Sequence, residues 1–95
     1  MENIITEEKI QNYFQITGRA LEKAKITIPE KTALKEIAKD YKDLAERYYS
    51  DAKHFYEQQN YVLAYGALNY AHAWLDAGVR AKLFDAKDDQ LFTLP

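Results

Sequence analysis

The sequence predicts an all-α fold, an up-and-down three-helix bundle with an extended C-terminal tail. Three observations carry that expectation. Apolar residues recur at i, i+3, i+4 and i+7 in three long segments. Only three Gly and two Pro occur in 95 residues, too few for a loop-rich chain. The helical pattern is broken at "ITIP" and at "EQQN", which leaves helices of about 7–25, 30–58 and 61–83 and a tail of 84–95 in one domain spanning 1–95.

The first helix has a clear start. Thr6 suits an N-cap, and Glu7 and Glu8 place negative charge where a helix favours it. Ile5 and Ile10 have the spacing of a hydrophobic staple. Ile10, Tyr13, Phe14, Thr17, Ala20, Leu21 and Ala24 then form one stripe. Gly18 inside it costs about 1 kcal/mol against Ala unless close packing requires it. The helix is expected to end near Lys25, because Pro29 pushes its predecessor away from helical angles.

Pro29 suits the first turn of the second helix. Leu34, Tyr41, Tyr48 and Phe55 recur every seven residues, with Ala38, Ala45 and Ala52 beside them. Large beside small in that register predicts close antiparallel packing. Asn60 tolerates a left-handed angle and can cap the next helix, so helices two and three form a tight hairpin.

Helix three raises the main question. From Tyr61 to Phe84 the only charged residues are Asp76, Arg80 and Lys82. At 100° per residue, Asn69, His72, Ala73, Asp76 and Arg80 make one narrow stripe, and nearly everything else is apolar or aromatic. Leu68, Ala71, Leu75 and Val79 can face the other two helices. Tyr65, Ala67, Tyr70, Trp74, Ala77 and Ala81 widen the apolar face beyond what two neighbours bury. The tail is one candidate cover: Asp85 to Gln90 reads as a polar link and "LFTL" as an extended apolar segment. Self-association or another protein is the other.

Composition narrows the function classes. There are 13 Lys and Arg against 15 Asp and Glu, a net charge of −2, and both signs alternate along residues 19 to 57. That pattern lacks the basic face that nucleic acid or an anionic membrane would require. No run has the length of a membrane span, and "MENIITEEK" has neither the basic start nor the apolar middle of a signal peptide. The absence of cysteine excludes disulfides and thiolate chemistry and fits a cytoplasmic protein.

Three segments together resemble a known family: "ALNYAHAWLDAGVRAKLF", preceded by "YYSDAKHFYEQQNYVLA" and led by "YFQITGRALEKAK". They look like the archaeal domain of unknown function 357 family, most specifically at Tyr70, Ala71, His72, Trp74, Leu75, Asp76, Ala77 and Gly78. The resemblance implies an archaeal cytoplasmic protein with an up-and-down three-helix bundle, and it implies no activity. At position 73 the family more often carries Gly, and the methyl group of Ala73 alters close approach there. The hairpin also resembles tetratricopeptide and HEPN-type helical domains. No second copy of a 34-residue unit supports the former.

The HEPN comparison has one chemical hook. Arg47 and His54 have the Arg-x6-His spacing of RNA-cutting members, which act as dimers with His moving a proton and Arg meeting phosphate charge. The plainer reading is a solvated Arg and a surface His, because short motifs arise easily by accident. Asn69, His72, Asp76 and Arg80 could hold a small ligand, with Asp76 orienting His72. More simply, they are i, i+4 pairs on the wet side of a helix. Tyr48, Tyr49, Tyr56, Tyr61, Tyr65, Tyr70 and Trp74 could make an interface, though packing at the bundle edge accounts for most such residues. No catalytic set, metal-ligand set or cofactor motif emerges. The expected function is therefore a non-enzymatic protein–protein interaction module, possible as a dimer, using Tyr65, Tyr70 and Trp74; the alternative is the HEPN-like reading on Arg47 and His54.

Overall fold

A computed structural model describes residues 4–28, 32–85 and 91–92. Three helices dominate: α1 (Glu7–Lys23), α2 (Ala33–Glu57) and α3 (Tyr61–Arg80). Two-residue strands, β1 (Lys25–Ile26) and β2 (Phe84–Asp85), pair antiparallel with Lys25 opposite Asp85 and Ile26 opposite Phe84. Successive helices run antiparallel, and α2 and α3 pack most closely. The all-α three-helix bundle is as the sequence predicts.

Alanines set the closeness of that packing. Ala38, Ala45 and Ala52 are fully buried on α2, as are Ala64 and Ala71 on α3. One cluster joins Ala20, Ala38, Ala45, Leu75, Val79 and Phe84 with Leu91 and Phe92 of the tail. A second, at the hairpin end, centres on Leu68 with Ala52 and Ala67, flanked by Tyr13, Phe14, Tyr49 and Phe55. Leu91 and Phe92 of the expected tail therefore do return to the bundle, each only 4% exposed, while the polar link 86–90 and residues 93–95 lie outside the described residues.

The helix starts follow the caps. Thr6 accepts from the backbone N–H of Lys9 at 3.1 Å, and Asn60 Oδ1 from that of Leu63 at 3.3 Å. Ile10 is fully buried behind half-buried Ile5, as a staple requires. Helix α2 begins later than expected. Its cap is Thr32, whose Oγ1 accepts from Lys35 N–H at 3.1 Å; Pro29 lies outside the described residues. Gly18 sits where its helix meets α2: a Cβ there would lie 2.7 Å from the Tyr49 hydroxyl, which donates to the Phe14 carbonyl.

The helix ends differ from expectation for a common reason. Helix α3 stops at Arg80, not Leu83, because Lys82 takes a left-handed φ of 63°. Leu83 N–H then bonds Gly78 O at 2.8 Å and Lys82 N–H bonds Val79 O at 3.0 Å, the Schellman pattern. Helix α2 ends the same way: Gln59, not Asn60, has φ 61°, with Asn60 N–H on Phe55 O and Gln59 N–H on Tyr56 O. Glycine normally occupies such positions because a Cβ is strained there. Lys82→Gly and Gln59→Gly are each expected to stabilise the fold by about 0.5–1 kcal/mol, the left-handed strain relieved less the entropy glycine adds to the unfolded chain. A rise in denaturant midpoint at unchanged m-value checks this.

The end of α1 is capped from another helix. Lys42 on α2 donates its ammonium to the carbonyls of Leu21, at 2.9 Å, and Ala24. Burial holds its pKa below the usual lysine value, against an opposing pull from Glu46. Its position 6.0 Å from the centre of the Phe84 ring also ties α2 to β2.

Candidate functional site

Helix α3 has three environments around its circumference, and the candidate residues divide among them. Toward α1 and the tail lies a polar seam. His72 is 9% exposed, with Nδ1 3.2 Å from Thr17 Oγ1 and Nε2 2.5 Å from the Leu91 carbonyl. A carbonyl only accepts, so that geometry assigns the proton to Nε2 and leaves Nδ1 to accept from the Thr17 hydroxyl. Asp76 Oδ2 stands 3.9 Å from Nε2, too far for a hydrogen bond but close enough to bias the ring's orientation. The Tyr13 ring stacks on the imidazole at 5.9 Å and Phe92 closes the other side at 6.5 Å. Both ring nitrogens are committed to holding α1 and the tail against α3.

Asn69 belongs to the same seam. Its Oδ1 accepts from the Tyr13 hydroxyl at 3.0 Å and its Nδ2 donates to the Tyr65 carbonyl at 2.9 Å. Burial, reinforced by Tyr65 and Asp76, raises the Tyr13 pKa and keeps that phenol a donor. Arg80 is exposed at the far end. The stripe read as the wet side of a helix is thus split: His72 is inside, Asn69 is engaged at the edge, and Arg80 is outside.

The aromatic trio is split as well. Tyr65 turns toward α1, its ring 5.2 Å from Tyr13 with the Lys9 ammonium 5.5 Å away. Trp74 is half-buried toward α2, edge-on to Tyr41 at 4.9 Å. Tyr70 stacks on Tyr48 at 5.1 Å yet remains 61% exposed. The rest of that outward side is Val62 (70% exposed), Leu63 (48% exposed), Gly66, Ala73 and Ala77, with Arg80 at its far end. A methyl added at Gly66 would meet nothing within 4 Å. This outward face, uncharged from Val62 to Ala77 where a surface helix is ordinarily charged, is the candidate site.

Arg47 and His54 are both exposed on α2. Arg47 Nε bonds Asp43 Oδ2 at 2.8 Å across solvent, and the nearest ring to His54 is Phe55 at 6.1 Å. Among the described residues no cluster of three His, Asp or Glu could ligate a metal, and no helix is long and apolar enough to cross a membrane.

A cluster that sequence reading missed fastens the N-terminus of α1 to the α2–α3 hairpin. Glu7 Oε1 accepts from the Tyr56 hydroxyl and from Gln11 Nε2 at 3.3 Å, while Tyr56 and Tyr61 stack at 5.5 Å. Bonds from Tyr56, Tyr61 and Gln11 lower the Glu7 pKa below its ordinary 4.5. A carboxyl whose folded pKa is depressed adds stability above its unfolded pKa and loses it as pH falls through the folded value. Glu7→Gln is therefore expected to lower Tm at pH 7, with the gap from the parent chain narrowing in acid. Thermal unfolding at a series of pH values checks it; a gap that persists unchanged below pH ~3 contradicts it.

Residues 12–84, most of the chain including α2, α3 and this outward face, match the family described as "Protein of unknown function (DUF357)". The chain is a DUF357 protein. No curated protein and no solved structure matches it. For this DUF357 protein the family description carries no activity, so function rests on what its own surfaces can do.

Proposed function

We propose that this protein is a non-enzymatic protein–protein interaction module that docks through the outward face of α3. The observation that carries the reading is Tyr70, an aromatic side chain 61% exposed among uncharged small residues. Tyrosine gives large contact area at low entropic cost, which is why it recurs at interface centres. The tail supports the reading by its location. Leu91 and Phe92 sit with Ala20, Ala24 and His72, on the α1 side, and so leave Tyr70 uncovered. Tyr65 and Trp74, which point to α1 and α2, act by fixing the helix that presents Tyr70.

A photoreactive benzoyl-phenylalanine in place of Tyr70 tests this in cells making the protein. The expected product is one discrete cross-linked species that disappears with Ala77→Lys, with no equivalent from the same probe at exposed Gln15 on α1. No adduct from position 70, or equal adducts from both positions, overturns the reading.

A further inference from the structure

We infer that the partner on the outward face of α3 is a second copy of this chain, packed antiparallel about a two-fold axis near Ala73. The inference rests on the interaction reading above and names its partner. A two-fold contact requires that one patch carry both the projection and the recess that receives it. Here a single helix stripe does so. Tyr70 projects, while Ala73 and Ala77, one and two turns further on, are exposed methyls on the same side. An antiparallel copy lays each Tyr70 ring on the other's Ala73–Ala77 surface. Gly66, where an added Cβ would meet nothing within 4 Å, leaves room at the stripe's other end for the long Arg80 side chain of the copy.

Charge agrees with self-pairing at two levels. A two-fold axis at Ala73 sets residues 66–80 of α3 against the same residues of the copy in reverse; the charges in that span, Asp76 and Arg80, then fall opposite Tyr70 and Gly66, so no like charges on α3 meet. The flank on α2 supplies one opposite-charge pair near the axis in the same register. Tyr48 stacks on Tyr70 and Tyr41 meets Trp74, so Ala73 lies level with the middle of the span from Asp40 to Arg47. A two-fold axis at that level stacks α2 beside its copy in the opposite direction. It sets Arg47 opposite the partner's Asp40, and both are exposed.

Sedimentation equilibrium of the full chain over roughly 1 µM to 1 mM tests the pairing, the range in which a contact at the small end of stable interfaces dissociates. A monomer–dimer equilibrium is expected. Ala73→Glu, an exposed site that leaves the monomer's Tm in place, should raise the dissociation constant at least tenfold by setting two carboxylates at the axis. Asp40→Arg and Arg47→Asp should each weaken self-association, and an equimolar mixture of the two variants should restore it, since each then meets its opposite. A monomer throughout, or no restoration on mixing, overturns the second-copy arrangement. If the Tyr70 cross-link then joins the chain to a different protein, the interaction reading survives without it. A monomer with no cross-link removes both, and a dimer indifferent to Ala73→Glu places association on another face and overturns this inference.

Discussion

Gly78→Ala is expected to lower unfolding free energy by about 3 kcal/mol, the upper end of ordinary overpacking, and Tm by roughly 12–20 °C in a chain of this size. A Cβ at position 78 would lie 2.1 Å from Cε2 and 2.4 Å from Cδ2 of Phe84. That ring cannot simply swing aside. It is 4% exposed, packed in the larger core cluster, and its backbone is held by pairing with Ile26. Gly78 also supplies the carbonyl that accepts from Leu83 N–H, so a displaced helix end would disturb the cap that turns the chain into β2. Gly66→Ala is the matched control. It meets nothing and should stabilise by up to about 1 kcal/mol through helix propensity alone. Phe84→Leu should recover part of the loss in the Gly78→Ala background while destabilising the parent chain. Denaturant unfolding of the four variants measures this, and equal effects at the two glycines would contradict the contact.

Much of the bundle was legible in the sequence because its signals are local. Thr6 and Asn60 have the chemistry of caps and act as caps, and Ala38, Ala45 and Ala52 at seven-residue spacing became the buried seam of α2. What escaped depends on partners distant in sequence or on substitutes for the usual residue. Lys82 and Gln59 end helices in positions where glycine is the readable signal. The β1–β2 pair joins two-residue strands nearly sixty residues apart, too short to have a period. His72 lies at the edge of a polar stripe, and Thr17 and Tyr13 of α1 with Leu91 and Phe92 make it an interior residue. The separation of Tyr65 from Tyr70 was available beforehand, since five residues at 100° turn the helix through 140°. Density of aromatics was read as a single face, where angle would have given two.

Phe92→Ala is expected to cost about 3 kcal/mol, the lower end for truncating a buried phenylalanine, and the reason for the lower end is informative. Leu91 and Phe92 are adjacent and enter one core cluster together, so losing one anchor loosens the other instead of leaving a rigid cavity. The cost is then limited to the free energy with which the tail is seated. Leu91→Ala added to Phe92→Ala should cost little more than either change alone. His72 provides the independent check. His72→Leu removes the donor to the Leu91 carbonyl and the acceptor for Thr17, leaving polar groups facing apolar surface at about 1–3 kcal/mol. In the Phe92→Ala background the Leu91 part of that cost should vanish, a coupling of about 1 kcal/mol in a double-mutant cycle. Additive effects would mean that His72 serves only α1. Because Leu91 and Phe92 occupy the α1 side of α3 and Tyr70 points away from it, Phe92→Ala should leave the association constant of the folded chain unchanged while Ala73→Glu lowers it at least tenfold. The surplus apolar surface of α3 would then have two separable owners, one within the chain and one outside it.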